Sequence, residues 1–254
     1  MFNPGGIQLI AAVIFFAYIG FDQISTTAEE AKNPSRDLPL GIIFSLLICT
    51  LLYILVTAVL TGLVSYKQLN VASPVSHALI LLGMNAAGSI ISVGAICGLT
   101  TVLLVLLFGQ SRIFFSMSRD GLLPGLFSRV HPRLRTPYIS TLLVGIVVAL
   151  VAGFTPIDVV AELTNIGTLA AFVLVSIGVL ILRRTRPDLH RAFRVPWVPV
   201  IPILSIIASL VLIVSLPWIT ILRFIVWLIL GIIIYFAYSI SHSHLAREGI
   251  ASEE

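Results

Sequence analysis

Phe15-Phe16-Ala17-Tyr18-Ile19-Gly20-Phe21-Asp22, continuing through Ser25-Thr26-Thr27-Ala28-Glu29-Glu30-Ala31-Lys32-Asn33-Pro34, decides how this chain is read. The stretch sets a glycine, a carboxylate and small hydroxyl residues inside an otherwise apolar run. An acidic side chain at bilayer mid-depth costs about 2.5–3.5 kcal/mol on insertion scales, so it marks a functional site by default. A glycine-interrupted apolar segment is also the sequence sign of a discontinuous membrane helix whose bare backbone faces a solute. The stretch predicts half of a solute-binding site.

The surrounding composition supports a membrane setting. Of the 254 residues, 58% are hydrophobic and 10% charged, against about 25% charged in soluble domains. The apolar residues come in runs of about 20 with charged punctuation, the pattern of membrane-spanning helices. Such a chain is all-α, polytopic and a single integral membrane unit. The net charge of +4 does not point to nucleic acid, because the arginines sit between apolar runs without an aromatic-basic motif. Cys49 and Cys97 share no metal or redox spacing, and the five histidines form no ligand cluster, so no metal or cofactor is expected.

Seven spans are predicted, at about 7–31 (interrupted near Tyr18 to Phe21), 40–64, 86–118, 138–154, 157–182, 198–216 and 219–241. Asp37 and Pro39 suit the start of the second, and Pro74 to Gly83 suits a short amphipathic surface helix. A polar tail, 242–254, closes the chain. With this layout 13 of the 15 Lys and Arg fall on one face, leaving only Lys67 and Arg223 on the other. The positive-inside bias makes the basic face cytoplasmic. The N-terminus is then outside the cell membrane and the C-terminus inside. An odd span count with an exterior start and no signal peptide predicts that an odd number of helices precedes this sequence.

Three motifs in order carry a family resemblance. The segment Phe15 to Pro39 resembles the sixth transmembrane helix and following loop of the amino acid–polyamine–organocation transporters, in the branch of the cationic amino acid transporters. Gly109-Gln110-Ser111-Arg112 through Ser118-Arg119-Asp120-Gly121-Leu122-Leu123-Pro124 resembles the end of that family's helix 8. Arg186-Pro187-Asp188 with Arg191, Phe193-Arg194-Val195-Pro196 and Pro199 resembles its loop between helices 10 and 11. The resemblance implies the second five-helix repeat of an inverted-repeat fold plus two C-terminal helices, that is, helices 6 to 12. Helices 1 to 5, whose glycine-rich break holds a substrate carboxylate, are then an expected partner outside this sequence.

A broken helix frees carbonyls from their i→i+4 partners, and a substrate ammonium offers three donors and a charge to match them. By resemblance the carbonyls of Phe16, Ala17 and Ile19 hold that ammonium, Phe16 is the aromatic gate, and Gly20 permits the break. Tyr53 lies where relatives carry a site-facing tyrosine, and in its bland reading is an interior hydrogen-bonding residue. Leu106 stands where the cationic branch has a small polar residue, which implies a neutral, moderately small substrate. Asp22 either caps the inner half-helix through N–H groups of Ser25 or its neighbours, or binds and releases a proton with transport. Glu29 and Glu30 read as solvated or paired surface charges, and Asp158 and Glu162 as helix-start acids. Asn165, Gly167 and Thr168 either line the cavity or bond neighbouring helices.

The expected function is amino acid transport across the cell membrane by proton symport or exchange, with neutral substrates. The alternatives are a truncated membrane protein without transport and a carrier of cationic amino acids or polyamines. No phosphate-binding loop and no nucleophile–base pair appears in the spans, so ATP-driven transport by this chain and enzyme activity are both disfavoured.

Overall fold

In a computed structural model the backbone is described for residues 4–71, 73–133, 136–188, 191 and 193–243; side chains of 4–9, 27–30 and 241 are not. The expectations for Glu29, Glu30 and the tail beyond 243 therefore lie outside what is described. The protein is an all-α polytopic membrane protein, with no strand among the described residues. Its helices are α1 (Pro4–Phe15), α2 (Pro34–Leu63), α3 (Pro74–Leu81), α4 (Asn85–Arg119), α5 (Tyr138–Phe154), α6 (Ile157–Thr185), α7 (Val200–Ser215) and α8 (Trp218–Ile234). A five-residue π-turn, Tyr235–Ser239, and the short helix Ile240–His242 extend α8.

Length separates these helices into two groups. α2, α4, α6 and the α8 extension to Ser239 are long and apolar enough to cross a bilayer. α5 and α7 have 17 and 16 residues, reaching about 25 Å against a hydrocarbon core of about 30 Å. The 35-residue α4 reaches about 52 Å and projects beyond the hydrocarbon.

α2 begins at Pro34, earlier than the expected start near residue 40. Asn33 is its N-cap and Pro34 takes the first helical position, where a missing N–H costs nothing. Asp37 does serve the helix start: its Oδ2 accepts the Asn33 N–H at 3.2 Å. Pro39 therefore lies inside the helix, where so close to the N-terminus its ring removes a single hydrogen bond.

Burial follows membrane logic. Small polar residues, among them Ser76, Ser140, Asn165, Ser209 and Thr220, are buried, while leucines and isoleucines such as Leu47, Ile90 and Leu103 are exposed. Without a hydrophobic drive between helices, close packing and interhelical hydrogen bonds hold such bundles together. α3 lies against α4 in this way. Ser76 Oγ donates to the Gly88 carbonyl at 2.9 Å and accepts from Ser92 Oγ at 2.9 Å. A Cβ at Gly88 would sit 3.0 Å from Ile80 and 3.2 Å from the Ser76 carbonyl, so glycine keeps the two helices in contact. The apolar core joins Ala12 of α1, Ile166 of α6 and Leu216 at the end of α7.

Candidate solute-binding site

The first apolar segment is broken. α1 ends at Phe15, a 3-10 turn covers Phe16–Tyr18, and Ile19 is extended. Gly20 then takes φ 125, a conformation that only glycine adopts without strain. Beyond it, Phe21–Glu30 forms ten residues of 3-10 helix, long for a conformation usually seen in runs of three or four. The hydroxyls supply a local reason. Ser25 Oγ donates to the Asp22 carbonyl at 2.6 Å and Thr26 Oγ1 to the Gln23 carbonyl at 2.7 Å. Both are i→i−3 bonds, which compete with the α-helical i→i−4 ladder.

Asp22 turns back across the break. Its Oδ1 accepts the Gly20 N–H at 3.1 Å, so the carboxylate caps the break and not the N–H of Ser25. The Gly20 carbonyl accepts the Gln23 N–H at 3.1 Å.

Against this break lies a cavity of about 320 Å³. Its wall comprises Ala17 to Phe21, Gln23 and Ile24 from the broken segment, Ser45, Leu46, Cys49 and Tyr53 from α2, and Thr101, Val102, Val105 and Leu106 from α4. Among the described residues no charged side chain belongs to that wall. Tyr53 Oη donates to the Ala17 carbonyl at 2.7 Å, and the Tyr18 and Tyr53 rings meet edge to face with centroids 5.3 Å apart. The Phe16 carbonyl accepts the Ile19 N–H at 3.3 Å. A carbonyl has two lone pairs, so each of these retains acceptor capacity for a further donor.

Of the residues expected at the site, Ala17, Ile19, Gly20, Tyr53 and Leu106 come together around this cavity, and Asp22 lies beside it. Phe16 does not. Its side chain is 42% exposed and outside the wall, because the turn at Phe16–Tyr18 directs Ala17 and Tyr18 toward α2. Asn165 is also absent from the wall. Its Nδ2 donates to the Ala12 carbonyl at 3.0 Å, the helix-bonding alternative. Glu162, read as a helix-start acid, accepts the Thr220 hydroxyl on Oε2, joining α6 to α8.

Sequence reading missed Gln23, Ser45, Cys49, Thr101, Val102 and Val105. The signal was spacing: Ser45, Cys49 and Tyr53 recur at i, i+4, i+8, and Thr101 and Val105 share a face, as do Val102 and Leu106. Gly109 explains why the inner segment can approach α4. A Cβ there would overlap Gln23 Oε1, and it would stand 3.3 Å from Gln23 Cδ and from Thr26 Oγ1.

The family profile described as "Amino acid permease" matches residues 2–239. The chain belongs to the amino acid permease family. The branched-chain amino acid permease BcaP of Bacillus subtilis is 54% identical over 242 residues, covering 95% of this chain and 52% of that protein. The methylthioribose transporter of the same organism is 52% identical over 246 residues, covering 97% and 53%. The vacuolar cationic amino acid transporter 4 of Arabidopsis thaliana is 48% identical over 187 residues, covering 74% and 31%. The permease chain spans about half the length of the bacterial relatives it matches. Its family is one of permeases, not of enzymes.

Proposed function

We propose that this permease chain supplies the ammonium-binding half of a neutral amino acid carrier and acts with a further segment of the kind its longer relatives possess. The observation that carries the reading is the cavity at the break. One side presents the Ala17 carbonyl and the Tyr53 hydroxyl, the other the apolar side chains of Val102, Val105 and Leu106. An α-ammonium finds carbonyl acceptors and the negative end of the α1 dipole there. A branched aliphatic side chain finds an apolar wall. A guanidinium or second ammonium would find no carboxylate among the described residues of the wall to offset its desolvation. The cavity volume is at the low end of the range for small-molecule sites. The similarity to a Bacillus subtilis permease named for branched-chain amino acids supports a neutral substrate.

In this reading the chain corresponds to helices 6 to 12 of the fold, with α1 and the Phe21–Glu30 segment as one broken span and α2, α4, α5, α6, α7 and α8 as the others. The N-terminus faces outward and the C-terminus the cytoplasm of a cell membrane, as the loop arginines favour. The substrate carboxylate is held by the missing half, and transport runs by proton symport or exchange.

The test is uptake of labelled leucine in cells producing either the chain alone or the chain with the N-terminal half of a close relative. The pair is expected to transport leucine and the chain alone is not. Competition in which arginine displaces leucine, or uptake of methylthioribose without any amino acid, would overturn the proposal.

A further inference from the structure

Helix α6 contributes nothing to the cavity wall, yet it touches the broken segment on both sides of the break. Asn165, 2% exposed, donates from Nδ2 to the carbonyl of Ala12, one turn before the outer half ends at Phe15. Two turns further along α6, the Phe172 ring meets Phe15 edge to face with centroids 6.1 Å apart. The same ring lies 5.5 Å from that of Phe21, the first residue of the inner half. A single aromatic side chain thus bridges the last residue before the break and the first after Gly20. α6 is itself fixed less than a turn before Asn165, where the buried Thr220 of α8 donates to Glu162.

We propose that α6 is a splint across the break. Asn165 anchors the outer half, Phe172 sets the angle between the halves, and both are positioning residues for the site. The physical reason lies in the break itself. Between Phe15 and Phe21 the backbone ladder is interrupted, with an extended Ile19 and a left-handed Gly20, so continuity of hydrogen bonds cannot hold the halves in register. Packing against a neighbouring rigid helix can. The bond from Asn165 also gives the Ala12 carbonyl a donor just where the helical ladder is about to end. This inference rests on the transport reading only for its consequence in uptake. Its geometric content stands apart from it.

The experiment measures the maleimide labelling rate of Cys49, which lies in the cavity wall, in membranes containing the chain with Cys97 replaced by Ser. Cys49 is exposed in the parent, and Phe172→Ala and Asn165→Asp are expected to change its rate by about tenfold, because both let the broken segment shift against α2. Phe172→Leu, which retains bulk, is expected to stay within about threefold of the parent. Leu174→Ala, on the exposed side of α6, serves as the control for general loosening. The splint is overturned if Asn165→Asp labels at the parent rate while folding normally. It is equally overturned if Leu174→Ala changes the rate as much as Phe172→Ala. Where uptake is measured in the complete carrier, Phe172→Ala is expected to lower the maximal rate more than it raises KM, since the ring does not touch the cavity. Altered labelling with no amino acid uptake by the chain paired with the N-terminal half of a relative would refute the transport reading and leave the splint standing.

Discussion

Gly109→Ala tests how the inner half of the broken segment is seated. The added methyl would occupy the place of Gln23 Oε1 and crowd Gln23 Cδ and Thr26 Oγ1, each at 3.3 Å. Backbone lies on the α4 side of this contact, so the movable partner is the Gln23 side chain, which belongs to the cavity wall. Overpacking of this kind costs about 1–3 kcal/mol, which converts to a loss of roughly 5-fold to 150-fold in the population correctly seated. Shortening the partner should relieve it. Gln23→Ala alone removes an amide whose Oε1 is buried without a hydrogen-bond partner, and is expected to be nearly neutral for stability. The double variant Gly109→Ala/Gln23→Ala should therefore recover most of the loss, giving a large coupling energy in a double-mutant cycle. The assays are thermal aggregation in detergent and uptake by the complete carrier. Gly109→Ala matching the parent in both assays would refute the reasoning, and so would a double variant no better than Gly109→Ala.

Three further outcomes are expected. Leu106→Ala enlarges the apolar side of the cavity and should shift preference toward longer side chains by about 10–200-fold, the worth of one methylene in a pocket; competing substrates measure it. Tyr53→Phe deletes the bond to the Ala17 carbonyl but keeps the ring on Tyr18, so KM should rise by about 2–10-fold with expression unchanged. Asp22→Asn keeps an acceptor for the Gly20 N–H and should preserve folding and uptake, whereas Asp22→Ala should cost about 1 kcal/mol by the loss of the cap, read as a lower melting temperature. Comparing the pH profile of uptake between Asp22→Asn and the parent then separates capping from proton coupling: an unchanged profile assigns the cap alone.

The break was legible because its causes are local: a glycine, a following carboxylate and a run of hydroxyls within about two turns. The all-α membrane architecture was legible for the same kind of reason, being set by apolar run length. What the sequence did not disclose depends on distance. The contact of Asn165 with Ala12 joins residues 153 apart, and the bond between Thr220 and Glu162 spans 58. Neither has a pattern to betray it. The side chain of Phe16, expected as the aromatic gate, lies outside the cavity wall, because resemblance assigns residues to positions in a helix, while a 3-10 turn rotates successive side chains by a different angle. Gln23 was overlooked because glutamine in a polar stretch gives no signal until Gly109 is seen opposite it. The start of α2 was misplaced toward Pro39 because two prolines compete for the role of first helical residue. Asn33 before Pro34 settles it.

The ten residues from Phe21 to Glu30 hold a mechanical consequence. A 3-10 helix advances about 2.0 Å per residue at three residues per turn, an α-helix 1.5 Å at 3.6. Rewinding the segment into α geometry would draw Ala31 about 5 Å toward Gly20 and rotate the far end by roughly 200°. Such a rewinding would exert both a pull and a turn on α2. Ser25 and Thr26, by holding the i→i−3 carbonyls, set which pitch the segment rests in.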